Sequence, residues 1–228
     1  MKKLYIIANW KSNKTIYQTE EWFRIINNSL ASRRSGPVTF KKEEKEVIVC
    51  SPFTLLPKVK ELTVNCKLSI VVGAQDISQF DEGAYTGAIN GRQIKEFADY
   101  VLIGHSERRK NFNESDEMLS KKVELANKYG LTPIFCVQGV ETQIPSDVIV
   151  IAYEPINAIG TGHPDTPENA QEMASFFKKN YNIQYVLYGG SVTSKNLKDF
   201  TQMSNIDGVL IGKASLDAQE FYKIIQNS

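Results

Sequence analysis

Cysteine and histidine are both scarce in this chain of 228 residues. The three cysteines, Cys50, Cys66 and Cys136, are odd in number, widely spaced and without a CxxC pair. Such spacing does not indicate a disulfide framework, and it predicts reduced thiols in a cytoplasmic protein. The two histidines are too few to form a visible cluster of metal ligands, so we expect no metal ion.

The chain also lacks a charge surplus and a long apolar run. Its 27 Lys and Arg side chains are balanced by 26 Asp and Glu, which leaves no basic excess to bind nucleic acid or an anionic membrane. No apolar run approaches the roughly 18 residues that span a bilayer. The first run, residues 4–8, is interrupted by Asn9 and Lys11 and is too short for an export signal. We therefore expect a soluble protein without a nucleic-acid or membrane partner.

Apolar segments of strand length recur along the whole chain. Helical spacing follows most of them, and they lack polar alternation, as do parallel strands that are covered on both faces. Eight such units predict an α/β fold, a single (β/α)8 barrel that spans residues 1–228 as one domain, whereas a doubly wound sheet more often has five or six strands. The predicted strands are residues 4–9, 47–51, 68–74, 100–104, 133–137, 148–154, 185–189 and 208–212.

The connection between the fifth and sixth predicted strands is short. Only residues 138–146 separate Val137 from Asp147, and a crossover with its helix requires at least about 10 to 12 residues. We expect a shortened or missing helix between strands 5 and 6. A missing helix would leave this flank of the barrel uncovered, and we hypothesise that a partner subunit covers it.

Other local patterns predict helix starts and a loop. Thr166 with Pro167 predicts an N-cap followed by a first-turn proline. Asp217 with Glu220 resembles a capping box. Residues 33–45 mix glycine, proline and charge and predict an exposed loop.

Chemically capable side chains follow several predicted strands, at the end of the barrel where active sites lie. Glu154 ends an apolar strand, where burial would make its carboxylate more basic than in water. His105 precedes Ser106 and Glu107, a helix start whose positive end disfavours a second ring proton. Lys11 is a cation that could stabilise an enediolate. Each alone also fits an ordinary structural role, but together they predict a base, an electrophile and a cation.

The last two predicted strands end in glycines, in YGGSV (188–192) and GVLIGK (208–213). Glycine lets backbone amides approach a phosphate, and the helix start that follows each motif favours an anion. Each motif is weak alone. Their position on the last two strands is typical of phosphate-binding barrels.

Six motifs in this order, ANWKSN, GAYTG, GHSERR, AYEPINAIGTG, YGGSV and IGKASL, resemble the triosephosphate isomerase family over essentially the whole chain. The resemblance implies a TIM barrel that interconverts dihydroxyacetone phosphate and D-glyceraldehyde 3-phosphate through an enediolate, in glycolysis and gluconeogenesis. It also implies an enzyme without a cofactor. A homodimer is implied because Tyr85, Thr86 and Gly87 match a loop that reaches a neighbouring subunit.

The same resemblance implies a catalytic set. Glu154 would move the proton between substrate carbons, and His105 would serve the two substrate oxygens. Lys11 would bind substrate and stabilise charge. Asn9 would help to polarise the substrate, and Glu107 would orient the neighbouring cation.

The resemblance further implies a phosphate site and a lid. The backbone amides of Gly160, Ser191, Gly212 and Lys213 would bind the phosphate. Ile159 and Leu210 would press on Glu154 and exclude water. The closing lid would comprise Pro155, Ile156, Asn157, Ala158, Ile159, Gly160, Thr161 and Gly162.

Three departures from the family pattern leave alternatives open. Asn157 stands where the family usually has a tryptophan at the hinge of the lid, and Lys213 replaces a glycine of the phosphate loop. The third departure is CVQGVET, where the family usually has CxGE after strand 5. The helix beyond this motif is cut, as it is in short archaeal members of the family that form tetramers. A tetramer is therefore an alternative to the dimer. The alternative functions are another ketose–aldose phosphate barrel and a catalytically impaired barrel retained as a binding or scaffold protein.

Overall fold

The computed structural model describes residues 3–31, 45–66, 69–156 and 164–228. In these ranges, parallel strands form a closed barrel in chain order, in which each strand pairs with the next and the last pairs with the first. The strands are β1 (Leu4–Asn9), β2 (Lys45–Ser51), β3 (Ile70–Ala74), β4 (Tyr100–Ile103), β5 (Thr132–Val137), β6 (Val150–Tyr153), β7 (Tyr185–Tyr188) and β8 (Gly208–Ile211).

Helices follow most strands in the described ranges and form the outer layer. They are α1 (Ile16–Ala31), α2 (Leu56–Val64), α3 (Gly91–Lys95), α4 (Ser106–Phe112), α5 (Asp116–Lys128), α6 (Pro167–Asn180), α7 (Leu197–Thr201) and α8 (Ala218–Asn227). None of these helices has the length and apolar character that crossing a bilayer requires.

The strands separate two apolar layers because successive side chains of a strand point to opposite faces. In β1, Ile7 packs inside the barrel with Leu102 and Leu187. Its neighbours Ile6 and Ala8 belong to the outer layer between the sheet and the helices. Both faces are therefore buried, which explains why the strands read as uninterrupted apolar runs.

The predicted fold class is confirmed, and each of the eight predicted segments contains a strand. Some boundaries differ. β2 begins at Lys45 rather than at Val47, and β6 begins at Val150 rather than at Val148. Val148 is buried, but its amide donates to the carbonyl of Pro145 in a turn, so it does not join the strand ladder.

The two predicted helix starts are found, one of them only in part. The Thr166 side chain accepts a hydrogen bond from the amide of Asn169, and Pro167 opens α6. Asp217 likewise caps α8 by accepting from the amide of Glu220 at 2.8 Å. The capping box is wrong in its second half, because the Glu220 carboxylate accepts instead from the amide of Ser194.

No helix lies between β5 and β6, and all of residues 138–149 are among those that the structure describes. The expected missing helix is confirmed, but the expected uncovered flank is wrong. The outward-facing Phe135, Val137 and Ile151 are all fully buried within this one chain. Ile144 and Val148 of the connection join the same apolar cluster, so the short connection itself helps to cover this flank.

Most of the predicted loop at 33–45 lies outside the described residues, and Lys45 is already part of β2. The described residues contain no group of three or more His, Cys, Asp or Glu side chains that could hold a metal ion.

Candidate active site

The carboxyl ends of the strands surround a cavity of about 1010 Å³. Asn9 is the last residue of β1, Glu154 directly follows β6, and Gly212 directly follows β8. The barrel therefore brings together predicted site residues that are far apart in the sequence. Those that line the cavity are Asn9, Lys11, His105, Glu154, Ser191, Leu210, Gly212 and Lys213.

The other predicted site residues have different positions. Glu107 contacts Lys11 from α4, Pro155 is buried, and Ile156 is exposed. The rest of the predicted lid lies outside the described residues. These positions are Asn157, Ala158, Ile159, Gly160, Thr161 and Gly162.

Glu154 is only 1% exposed, and hydrogen-bond donors face both of its carboxylate oxygens. The backbone amide of Ser106 donates to Oε2 at 2.9 Å, and Nε2 of His105 lies 3.0 Å from Oε1. Burial raises the pKa of the Glu154 carboxyl, but the His105 ring and the Ser106 amide lower it, so the net pKa lies below the ordinary value. The predicted increase in basicity is therefore wrong for this conformation, in which the carboxylate is held ionised.

His105 is the N-cap of α4, and its ring is hydrogen-bonded on both nitrogens. Nδ1 accepts from the backbone amide of Glu107 at 3.2 Å, so this nitrogen carries no proton. Nε2 then carries the single ring proton and donates it towards Glu154. This is the bonding pattern of an uncharged imidazole whose N–H is directed at the carboxylate.

Lys11 has a left-handed backbone, with φ of 51°. Its amide donates to Oδ1 of Asn9 at 3.0 Å, and its carbonyl accepts from Nε2 of Gln75, also at 3.0 Å. Its ammonium lies 2.5 Å from Oε1 of Glu107. Contacts at the amide, the carbonyl and the side chain thus fix this cation at the cavity wall.

The β8 end of the cavity offers backbone amides. A 3₁₀ turn, Lys213–Ser215, follows Gly212, and its first internal hydrogen bond comes from the amide of Ser215. The amides of Lys213 and Ala214 are therefore not used by the turn, and both residues line the cavity. Lys213 is not among the described residues with a positive φ, so its backbone tolerates a side chain at this position.

Two glycines allow close packing around these groups. A Cβ atom on Gly189 would lie 2.9 Å from Cγ of Glu154 and 3.1 Å from the carbonyl oxygen of Tyr153. A Cβ atom on Gly212 would lie 3.3 Å from Cε of Lys11. The glycines that end β7 and β8 thus leave room for the carboxylate and for the ammonium, a role that the sequence analysis did not anticipate.

Sequence reasoning missed Gln75 altogether. It directly follows β3 and donates from Nε2 to the carbonyls of Lys11 and Cys50. Its position at a strand end was the available signal. A glutamine has no acid–base chemistry, however, and therefore did not stand out beside Glu154 and His105.

Comparison with known proteins places this geometry in a family. The chain matches the family profile described as triosephosphate isomerase over residues 4–148 and 140–228. Relatives named triosephosphate isomerase include one from Mesomycoplasma hyopneumoniae strain 232, 38% identical over 250 residues, with both chains fully covered. Another, from Aquifex aeolicus, is 38% identical over 256 residues and covers 99% of each chain.

A solved structure agrees with these sequence matches. The crystal structure of triosephosphate isomerase from Bartonella henselae superposes with a TM-score of 0.78 at 29% identity. The match covers 98% of each chain, so the similarity includes the strand ends that carry the cavity. The chain described here therefore belongs to the triosephosphate isomerase family.

Proposed function

We propose that this chain interconverts dihydroxyacetone phosphate and D-glyceraldehyde 3-phosphate, with Glu154 as the base that carries the proton. The observation that carries the proposal is the convergence of a buried carboxylate, an uncharged imidazole N–H and an ammonium on one cavity. As a member of its family the chain is an isomerase, of the intramolecular oxidoreductase class.

The chemistry requires one proton to leave carbon 1 of dihydroxyacetone phosphate and one to arrive at carbon 2. Glu154 removes the first proton, and the electron pair of the broken C–H bond forms the enediolate. His105 donates its Nε2–H to the substrate oxygens, on which the negative charge develops. The hydroxyl proton on the carbon 1 oxygen passes to the carbon 2 oxygen, with His105 as the relay. Glu154 then returns its proton to carbon 2, and the oxygen of carbon 1 becomes the aldehyde carbonyl.

In the free protein, Glu154 accepts hydrogen bonds from two donors, and it must lose both before it can act as a base. Ser106 and His105 occupy both carboxylate oxygens, so the substrate must displace these bonds before Glu154 reaches a C–H bond. Loss of these two donors in a buried site raises the pKa of the carboxyl. Binding of substrate therefore creates the basicity that the resting site lacks.

Lys11 and Asn9 complete the catalytic set. The Lys11 ammonium stabilises negative charge on the enediolate and the phosphate, and Glu107 orients it. Asn9 polarises the substrate and holds the Lys11 backbone. Ser191, Gly212, Lys213 and Gly160 supply backbone amides for the phosphate, while Leu210, with Ile159 of the 155–162 lid, excludes water from Glu154.

A coupled enzyme assay with glyceraldehyde 3-phosphate tests the proposal. We expect turnover by the full chain without added metal or organic cofactor. The absence of turnover under conditions in which the protein is folded would favour the impaired barrel, an alternative that no observation on the site supports.

We also propose one catalytic domain in a cytoplasmic protein. The family profile matches both ends of the described chain, which supports a single unit over residues 1–228. Cys50 and Cys136 are buried thiols that form no disulfide with a described residue, and unoxidised thiols are typical of a reducing compartment.

We propose a homodimer through the Tyr85–Thr86–Gly87 loop. These three residues are exposed, and the Tyr85 ring stacks on Phe80 with centroids 4.2 Å apart. Both rings remain more than two-fifths exposed, at 45% and 42%. A pre-stacked aromatic pair on a projecting loop can dock with little further loss of side-chain entropy. A tetramer has less support, because the flank between β5 and β6 is already buried.

Thr86→Asp is expected to weaken the dimer because it places a charge at the centre of this docking loop. We expect the dimer dissociation constant to rise by a factor of at least about 10, measured by sedimentation velocity across a concentration series. Thr54→Asp makes the same change at another exposed threonine and should leave the constant unaltered. Equal effects of the two substitutions, or a monomeric unmodified chain, would contradict this interface.

A further inference from the structure

Lys11 holds a backbone conformation that a lysine rarely adopts. Its φ of 51° lies in the left-handed region, where the Cβ atom crowds the following carbonyl. Such a residue persists only where its surroundings over-determine it. The contacts that fix the Lys11 backbone therefore also fix the position of its ammonium.

Gln75 supplies the contact at the carbonyl of Lys11. Its Nε2 donates to this oxygen at 3.0 Å and to the carbonyl of Cys50 at 2.9 Å. An amide nitrogen carries two hydrogens, so both bonds can exist together. Because both partners are acceptors, the nitrogen rather than the oxygen of the Gln75 amide must face them.

The two bonds connect the ends of three neighbouring strands. Gln75 follows β3, Cys50 belongs to β2, and Lys11 follows β1. The carbonyl of Cys50 also accepts from the amide of Trp10 at 3.1 Å. The Gln75 side chain thus bridges the ends of the strands and links Lys11 to β2 and β3, which pair with each other in the sheet.

We propose that Gln75 is a positioning residue for the isomerisation, which acts by holding Lys11 in its left-handed conformation with the ammonium at the cavity. This inference rests on the function proposed above. Without the two hydrogen bonds from Gln75, the Lys11 backbone can relax to a commoner region of φ, which moves the ammonium away from the developing charge. Gln75 itself does not line the cavity as described, so its effect must pass through Lys11.

A double-mutant cycle tests this route of action. Gln75→Met keeps the length of the side chain but removes both donors, and Lys11→Met removes the ammonium. The four proteins, from unmodified to double variant, are compared for kcat, KM and calorimetric binding of inorganic phosphate, with urea unfolding as the check of folding. Gln202→Met makes the same substitution at an exposed glutamine and serves as the matched control.

We expect Gln75→Met to lower kcat/KM by about tenfold, since loss of the hydrogen bond to the Lys11 carbonyl is worth roughly that factor. The phosphate affinity should fall in the same direction. In the Lys11→Met background, the same substitution should change either quantity by less than about twofold, since the two residues act as one unit.

Two results would overturn the inference. One is a kcat/KM for Gln75→Met within about twofold of the unmodified protein, the range of a neutral surface change. The other is an undiminished loss in the Lys11→Met background, which would mean that Gln75 acts on the barrel as a whole. If Gln75→Met fails to fold, Gln75→Asn, which is too short to reach both carbonyls, replaces it in the cycle.

The phosphate measurement separates this inference from the proposed function. An unmodified chain without turnover would refute the isomerase, and the cycle on phosphate affinity would still decide the role of Gln75. An active chain in which the cycle is additive would refute the positioning role and leave the isomerase intact.

Discussion

Replacing Glu154 with glutamine is expected to lower kcat by about 10²- to 10⁴-fold, the loss that accompanies removal of a positioned proton-transfer group. Glutamine keeps the size of the side chain but cannot accept a proton from carbon. It also satisfies only one of the two donors, Ser106 and His105, because its amide nitrogen faces the other. Steady-state turnover of glyceraldehyde 3-phosphate measures the effect.

Two controls make this result specific to the base. Glu117→Gln makes the same change at an exposed position in the first turn of α5, and its turnover should stay within about twofold of the unmodified protein. The Glu154→Gln variant should still bind inorganic phosphate, since the backbone amides proposed to bind phosphate belong to other residues. A turnover that survives the loss of the carboxylate would refute Glu154 as the base.

The second large effect concerns stability rather than chemistry. Lys122 of α5 is 5% exposed, and its ammonium lies 2.6 Å from Oδ1 of Asp76 and 2.5 Å from Oε1 of Glu114. Arg108 contacts the same two carboxylates at 2.8 and 2.7 Å. Burial raises the pKa of Asp76, although Lys122 and Arg108 act in the opposite direction. Two cations therefore balance two anions in a largely buried cluster.

Lys122→Met is expected to lower the free energy of unfolding by about 3–5 kcal/mol because it leaves a buried negative charge without its partner. Lys121→Met is the matched control, since Lys121 pairs with Glu124 on the exposed face of the same helix and should cost no more than about 1 kcal/mol. Urea unfolding measures both.

A second substitution tests the electrostatic cause of this loss. Adding Glu114→Gln to Lys122→Met restores the charge balance of the cluster, so we expect the double variant to be less destabilised than the sum of the single changes. Strict additivity would show that packing, rather than charge, accounts for the loss.

The barrel itself was predictable from the sequence because each strand is buried on both faces. Residues such as Ile6 and Ile7 face opposite layers and are equally buried, so the strands read as continuous apolar runs. Strand boundaries were less predictable. Val148 is buried but does not pair in the sheet. Residue type alone does not distinguish a buried residue that pairs in a strand from a buried residue that does not.

The site was predictable where a residue type carries chemistry. Glu154, His105 and Lys11 stand at strand ends, and the fold brings them to one cavity. The direction of the Glu154 pKa was not predictable, because burial raises it while the His105 ring and the Ser106 amide lower it, and the balance depends on where the fold places these two donors. Gln75 escaped prediction for a similar reason, since its partners are backbone carbonyls, which every position in the chain possesses.

The buried ionic cluster was equally invisible. Asp76, Arg108, Glu114 and Lys122 are scattered charges in the sequence, and such residues are mostly exposed in folded proteins. The fold brings Arg108 of α4, Lys122 of α5 and Glu114, which lies between these helices, to Asp76, two residues after β3. Asp76 adjoins Gln75, so the cluster also stabilises the segment that holds Lys11.

The direct connection of β5 to β6 has a consequence for the order in which the barrel assembles. Every other consecutive pair of strands is separated by at least one described helix, whereas residues 138–149 close this pair by a short loop. Short loops lose little chain entropy on closure, and local contacts form fast. Pairing of Phe135 with Ile151 should therefore come early in folding, and the seam between β1 and β8, whose partners are remote in sequence, should close late.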